Sequence, residues 1–393
     1  MRLTAGVTAR TARRRQERYC GTYIAVTGSV GKTTTASLIA SLLAPSGSVS
    51  LGAFRNVQRP IYTTLRRLKQ PTDYLVQEVS AHPIGTIGHI VHHLRIDVGV
   101  VTTVGLDHQS DFRTVERVAE EKSKLVAAVA PQGFVCLNAD YPLVRAMSDK
   151  AHAKVILFGE AADADIRAQN IRVDWQRGLE FDVEIGTWRR HFKSPFLGTF
   201  MVGNLLAALA VAHGLGLELD AAAARLETIE PERDRLRRVA GADGHTYALD
   251  NLKASLWSTM VLIADLEKWQ GGPKIFVLGH LSDTGSNASQ KYKQALRAAA
   301  KHCDLVIGVG PAAGAASRIS IAERRAVKEH GGTIPERPVI VAADTLEEAR
   351  VAIESAPRGL VILKGGSIFP LKSLLPTGTV VPQYSPVGRR SSA

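Results

Sequence analysis

The run Tyr23-Ile24-Ala25-Val26-Thr27-Gly28-Ser29-Val30-Gly31-Lys32-Thr33-Thr34 decides the fold. An apolar, β-branched segment enters a glycine-bounded turn, and Lys-Thr-Thr then opens an apolar helical pattern over residues 35–44. Strand, phosphate loop and helix follow one another. Glycine lets backbone N–H groups close around phosphate oxygens, and the helix N-terminus adds the positive end of its dipole. Gly28, Ser29, Val30, Gly31, Lys32, Thr33 and Thr34 form the expected cradle, with Lys32 reaching the β/γ-phosphates and the Thr33 hydroxyl on Mg²⁺. The pattern G-x-x-x-x-G-K-[ST] is not met in full, because its first position falls on Val26.

Working outward, the 393 residues suggest two to three domains, enough to bury real cores. With 45% hydrophobic and 22% charged residues, the composition is that of a soluble globular protein. No apolar run approaches the roughly 20 residues of a membrane-spanning helix, so no transmembrane segment is expected. Cys20, Cys136 and Cys303 show no metal-ligand spacing, which points to a reducing compartment, the cytoplasm by default. The net charge of +12 raises the question of nucleic acid. Arg2, Arg10, Arg13, Arg14, Arg15 and Arg18 supply a large part of it against a single acid, Glu17, in the first twenty residues. No zinc-finger, RNA-recognition or helix-turn-helix signature accompanies the charge, and attraction to anionic small substrates explains it as well, so no nucleic-acid partner is expected.

The expected class is α/β: a P-loop central domain with a mainly parallel sheet, plus a smaller Rossmann-like α/β C-terminal domain. Residues 1–21 read as a basic extension, helical or poorly ordered. Apolar strands at 23–27, 74–79, 98–104, 134–138 and 155–159 alternate with helical patterns such as 114–129, which argues a parallel sheet with helices on both faces. Residues 165–193 alternate apolar and polar around Gln176-Arg177-Gly178, as antiparallel strands do. Residues 201–215 are apolar nearly all round and read as a buried helix. A boundary falls between 217 and 238. A second alternation follows at 246–249, 275–278, 305–309, 339–341 and 360–363, with helices at 290–301 and 346–355. The expected units are 22–228 (central, ATP-binding), 229–375 (C-terminal) and 376–393 (flexible tail).

Magnesium–nucleotide chemistry needs hard oxygen ligands at the carboxyl ends of parallel strands beside the loop. Glu78 ends the strand at 73–79, and His108 follows the strand at 98–104. The series Thr27 to Thr34, Glu78-Val79-Ser80, Asp107-His108, Val118-Ala119-Glu120-Glu121-Lys122, Leu137-Asn138-Ala139-Asp140 and Gly203-Asn204-Leu205-Leu206 resembles, in order and spacing, the Mur ligase family. The resemblance runs over about residues 22–370. Val277-Leu278-Gly279 is especially similar to the family's D-Ala-D-Ala-adding members, and Leu363-Lys364-Gly365-Gly366-Ser367 also resembles a family string.

That resemblance implies an ATP- and Mg²⁺-dependent ligase that joins a small-molecule or peptide carboxylate to an amine through an acyl phosphate, releasing ADP and phosphate. It implies catalytic roles for Lys32, His108 and Lys122, the last as a carbamate in many members, and metal roles for Thr33, Glu78 and His108. Asn204, Arg235 and Asp250 join the loop as nucleotide contacts, while Lys253, Ser255 and Lys364 face the acceptor. Departures fall mainly on specificity. Thr103 stands where the family often has Asn, Phe200-Met201 where it has His-Asn, and Leu256-Trp257 where it has Asn-Pro. About two dozen residues precede the loop, where muramyl ligases carry a UDP-sugar domain. A poly-γ-glutamate or folylpolyglutamate type of ligase, and a nucleotide-binding regulatory subunit with a degenerate site, are the alternatives.

Overall fold

The computed structural model describes residues 2–53, 56–105, 114–282, 284–330 and 339–381. Among these, two sheets organise the chain. The first runs in the order Val49–Gly52, Thr72–Glu78, Cys20–Thr27, Ile96–Val101, Val129–Asn138, Lys154–Gly159, Ile166–Asp174, Gly178–Ile185, Trp188–Ser194. It is parallel as far as Ile166–Asp174, and the last two strands are antiparallel. The burial patterns explain the change. Tyr23, Ile24, Ala25 and Val26 are all fully buried, as in a strand covered on both faces. Gly178–Ile185 alternates buried with half-buried positions, and Phe181 stacks across the strand on Phe192 with ring centroids 4.9 Å apart.

The second sheet has the order Arg237–Ala240, Thr246–Asp250, Leu360–Lys364, Lys274–Leu278, Leu305–Val309, Ile340–Ala343. Its first pair is antiparallel and the rest are parallel. The helix Phe200–Gly214 is buried nearly all round, as its composition requires, and packs against the helix Lys32–Leu43 that follows the phosphate loop.

The seam between the sheets is packed. Ile24 and Val26 of the first sheet belong to one continuous apolar cluster with Leu262, Leu266, Trp269, Phe276 and Leu278. Asp265 ties it further, its carboxylate accepting from the Thr199 amide at 2.8 Å and from the Trp269 indole N–H at 2.6 Å. Trp269–Gln270 pairs in parallel with Val173 and Asp174, so residues expected to build only the second unit also extend the first sheet.

Two expected strand bounds change, and the N-terminal stretch takes the helical alternative. The N-terminal stretch forms the helix Arg2–Tyr19, with Ala9, Ala12 and Gln16 essentially buried, so it packs on the domain and is not a loose extension. Gln16 clamps the Arg95 peptide, donating to its carbonyl at 2.7 Å and accepting from its amide at 3.0 Å. The strand expected at 98–104 is Ile96–Val101, because Thr102 and Thr103 leave the sheet to brace the phosphate loop. The strand expected at 134–138 begins earlier, at Val129. No helix among the described residues is long and apolar enough to cross a membrane.

Candidate active site

The phosphate loop leaves the strand Cys20–Thr27 at its carboxyl end and enters the helix Lys32–Leu43. Its shape is set from beneath. The Ser29 amide donates to the Thr103 carbonyl at 3.0 Å, the Val30 amide to the Thr103 hydroxyl at 3.0 Å, and the Thr102 hydroxyl to the Val30 carbonyl at 2.6 Å. Ser29 Oγ bridges both backbone groups of Gly105, donating at 2.9 Å and accepting at 3.0 Å. Thr103, a departure from the family pattern, therefore holds the loop.

Gly31 has φ +83°, and a Cβ there would stand 2.3 Å from Asn204 Oδ1. Both the backbone conformation and the close approach require glycine. Asn204 comes from the buried helix Phe200–Gly214, accepts from the Thr35 hydroxyl at 3.1 Å and donates to the Met201 sulfur at 3.3 Å. Its amide is thus fixed under the loop while still lining the cavity above it. Lys32 folds back so that Nζ donates to the Gly28 carbonyl at 2.5 Å and the Ser29 carbonyl at 3.3 Å, at the place phosphate oxygens take in such loops.

The loop forms one wall of a cavity of about 320 Å³ that the carboxyl edge of the second sheet closes from the other side. Ser29, Val30, Gly31, Lys32, Thr33, Thr34, Glu78 and Asn204 line it from the first unit; Arg235, Asp250, Lys253, Ser255 and Lys364 line it from the second. Residues distant in sequence thus line one cavity. Lys364 is 3% exposed and donates to Asp250 Oδ2 at 2.6 Å and to the Lys253 carbonyl at 3.2 Å. Its charge is already compensated. Ser255 is the N-cap of the helix Leu256–Asp265, its hydroxyl accepting from the Ser258 amide. Lys122 lies buried in the helix Val115–Ala127 and does not line the cavity. His108 lies outside the described residues.

Thr33 and Glu78 are the described residues suited to Mg²⁺. Both are hard oxygen donors, both are buried at the cavity wall, and Mg²⁺ takes one or two protein oxygens plus nucleotide phosphates. The donor set fits the ion. Among the described residues no group of three His, Cys, Asp or Glu gathers as a self-sufficient metal site.

Sequence reading missed Glu232. It is buried, accepts from the Ser37 hydroxyl one turn into the loop's helix, and leaves its second oxygen without a partner. Burial pushes its pKa up; the Ser37 hydrogen bond and Arg235 oppose that, while the negative charge of Glu78 adds to it. Only its place three residues before Arg235, in a charged run after Pro231, could have drawn attention to it.

A phosphate loop on one parallel sheet, faced across a single cavity by the carboxyl edge of a second, defines a two-unit nucleotide-binding α/β protein. Residues 26–212 match the Mur ligase middle domain. The UDP-N-acetylmuramoyl-tripeptide–D-alanyl-D-alanine ligase of Mycobacterium tuberculosis is 29% identical over 372 residues, covering 88% of this chain and 70% of that protein. The ligase of the same name from Mycobacterium bovis is 31% identical over 71% of this chain, which spans only 56% of that relative's length. The structure of MurF ligase from Thermotoga maritima in complex with ADP superposes with a TM-score of 0.79, at 20% identity, over 94% of this chain and 82% of that one. At that identity the superposition speaks for the fold.

Proposed function

We propose that this chain is an ATP-dependent ligase that forms an amide bond between the carboxylate of a peptide-like donor and the amine of an amino acid or short peptide. The observation that carries it is the single cavity in which Lys32, Thr33 and Glu78 face Asp250, Lys253 and Lys364. One wall has the chemistry of a triphosphate site and the other is polar with its charges paired, as an acceptor site needs.

Lys32 is positioned to leave the Gly28 and Ser29 carbonyls and move onto the γ-phosphoryl group, where its charge opposes the charge that develops during transfer. Mg²⁺, when bound through Thr33 and Glu78, supplies further charge neutralisation. The donor carboxylate takes the phosphoryl group, giving an acyl phosphate and ADP. The amine then adds to the acyl carbon, loses a proton, and the tetrahedral intermediate expels inorganic phosphate. The protein positions the reactants and keeps water from the acyl phosphate, which the packed seam between the sheets favours. Asn204 and Arg235 border the nucleotide, and the Lys253 and Asp250–Lys364 side receives the amine.

The free, buried thiols of Cys20, Cys136 and Cys303 suit a cytoplasmic setting, where ATP is supplied. The test is product identity: with ATP, Mg²⁺ and a matched substrate pair, ADP and phosphate should appear in equal amounts with the amide. AMP and pyrophosphate would rule the acyl phosphate out.

A further inference from the structure

A second cavity, of about 780 Å³, opens at the opposite end of the second sheet. The strands Thr246–Asp250 and Leu360–Lys364 carry the Asp250–Lys364 pair at their carboxyl ends, whereas Thr246 and Gly359, at and just before their amino ends, line this second cavity. Four residue steps of extended chain separate Thr246 from Asp250, roughly 13 Å. The two cavities are therefore distinct.

Three arginines, Arg237, Arg238 and Arg358, line the second cavity against one acid, the exposed Glu230. Arg237 is the unusual one. It is only 5% exposed, and its Nη1 has no hydrogen-bond partner. No carboxylate among the described residues forms an ion pair with it. A guanidinium carries its charge at every physiological pH, and a buried charge without a counter-charge is costly. Arg238 crosses the seam, its Nη1 donating to the Trp175 carbonyl at 3.2 Å and to the Gln176 carbonyl, and so adds charge while offering no acceptor. Burial holds its pKa below the ordinary arginine value, with Glu230 and Asp174 opposing. The indole Nε1 of the buried Trp175 is a further donor without a partner in the same wall.

We propose that this cavity is a second ligand site, which takes a small anion bearing phosphate or carboxylate groups as the missing counter-charge of Arg237. Arg238 and Arg358 complete the cationic wall, with Glu230 at its exposed side. Guanidinium forks match both oxyanions in geometry. The proposal goes beyond the ligase reading and does not depend on it.

The experiment titrates inorganic phosphate and, separately, succinate into the full chain by calorimetry. The Lys32→Ala background is used, so that the phosphate loop contributes as little as possible. Saturable binding is expected, and phosphate binding more tightly than succinate, or the reverse, identifies which oxyanion the site takes. Arg237→Gln in that background should weaken binding about tenfold or more, the worth of one charge-assisted hydrogen bond. Arg358→Gln, at the exposed rim, provides the same test should Arg237→Gln fail to fold. Absence of saturable binding by either anion, or unchanged affinity in the arginine variants, overturns the proposal.

Discussion

Lys364 Nζ donates to Asp250 Oδ2 at 2.6 Å across adjacent parallel strands, joining residues 114 positions apart in the chain. The pair stands at the carboxyl edge of the second sheet, facing the phosphate loop. Neither partner signals the other in sequence, because only the strand order places Thr246–Asp250 beside Leu360–Lys364.

Breaking this pair should cost more than deleting it. Side-chain exposures of 3% and 11% leave either charge buried when its partner is removed. Lys364→Met or Asp250→Asn alone should therefore lower stability by about 3–5 kcal/mol, while the double variant recovers most of that loss. Urea unfolding of the four proteins measures it. Additive losses in the double variant would show that the two side chains are not coupled.

Lys32→Ala should keep the fold and lose the reaction. Removing one preorganised donor from a developing charge typically lowers turnover about 10²–10³-fold. Circular dichroism should be unchanged, and ADP release in the presence of substrates should fall by at least that factor. A variant that turns over normally would take the chemistry away from the loop.

Gly31→Ala should damage nucleotide binding by geometry alone. At φ +83° an L-residue is strained by about 1–2 kcal/mol, and its Cβ would meet Asn204 Oδ1 at 2.3 Å. ADP affinity should drop well beyond tenfold. Adding Asn204→Ala relieves the clash but not the strain, so affinity should recover only in part. Equal affinity for Gly31→Ala and the unaltered chain would show that the loop takes another shape.

These cases show what the sequence makes legible. The loop at Gly28–Thr34 is contiguous, so spacing alone reveals it, and Glu78 is readable because it ends an apolar run. The buried helix Phe200–Gly214 declares itself by having no polar face. Its closeness to the loop through Asn204 is carried by the resemblance and not by local pattern. Ala9, Ala12 and Gln16 do recur at helical spacing, a signal that the density of arginines around them obscures. The strand Trp269–Gln270 is too short for any periodicity, and only the far end of the interior strand Ile166–Asp174 gives it a partner. Glu232 and Arg237 are beyond local reading for another reason: charged side chains in a polar run are expected at the surface, and burial there is a tertiary effect.

Glu232 yields a prediction with a definite sign. Burial, reinforced by Glu78, raises its pKa above the ordinary 4.5. Between 4.5 and that raised value the folded chain still holds the proton that the unfolded chain has released. The folded state binds more protons there, so stability falls as pH rises through the window. Below 4.5 both states are protonated and the contribution is fully present; above the raised value it is lost. Glu232→Gln replaces the carboxyl with a permanently neutral group that can still accept from Ser37. Its melting temperature should match the unaltered chain near pH 4.5, exceed it increasingly as pH rises through the window, and keep a constant margin above the raised value. Melting curves for both proteins across that range decide the matter, and an offset already constant from pH 4.5 upward would mean that Glu232 is ionised in the folded chain throughout.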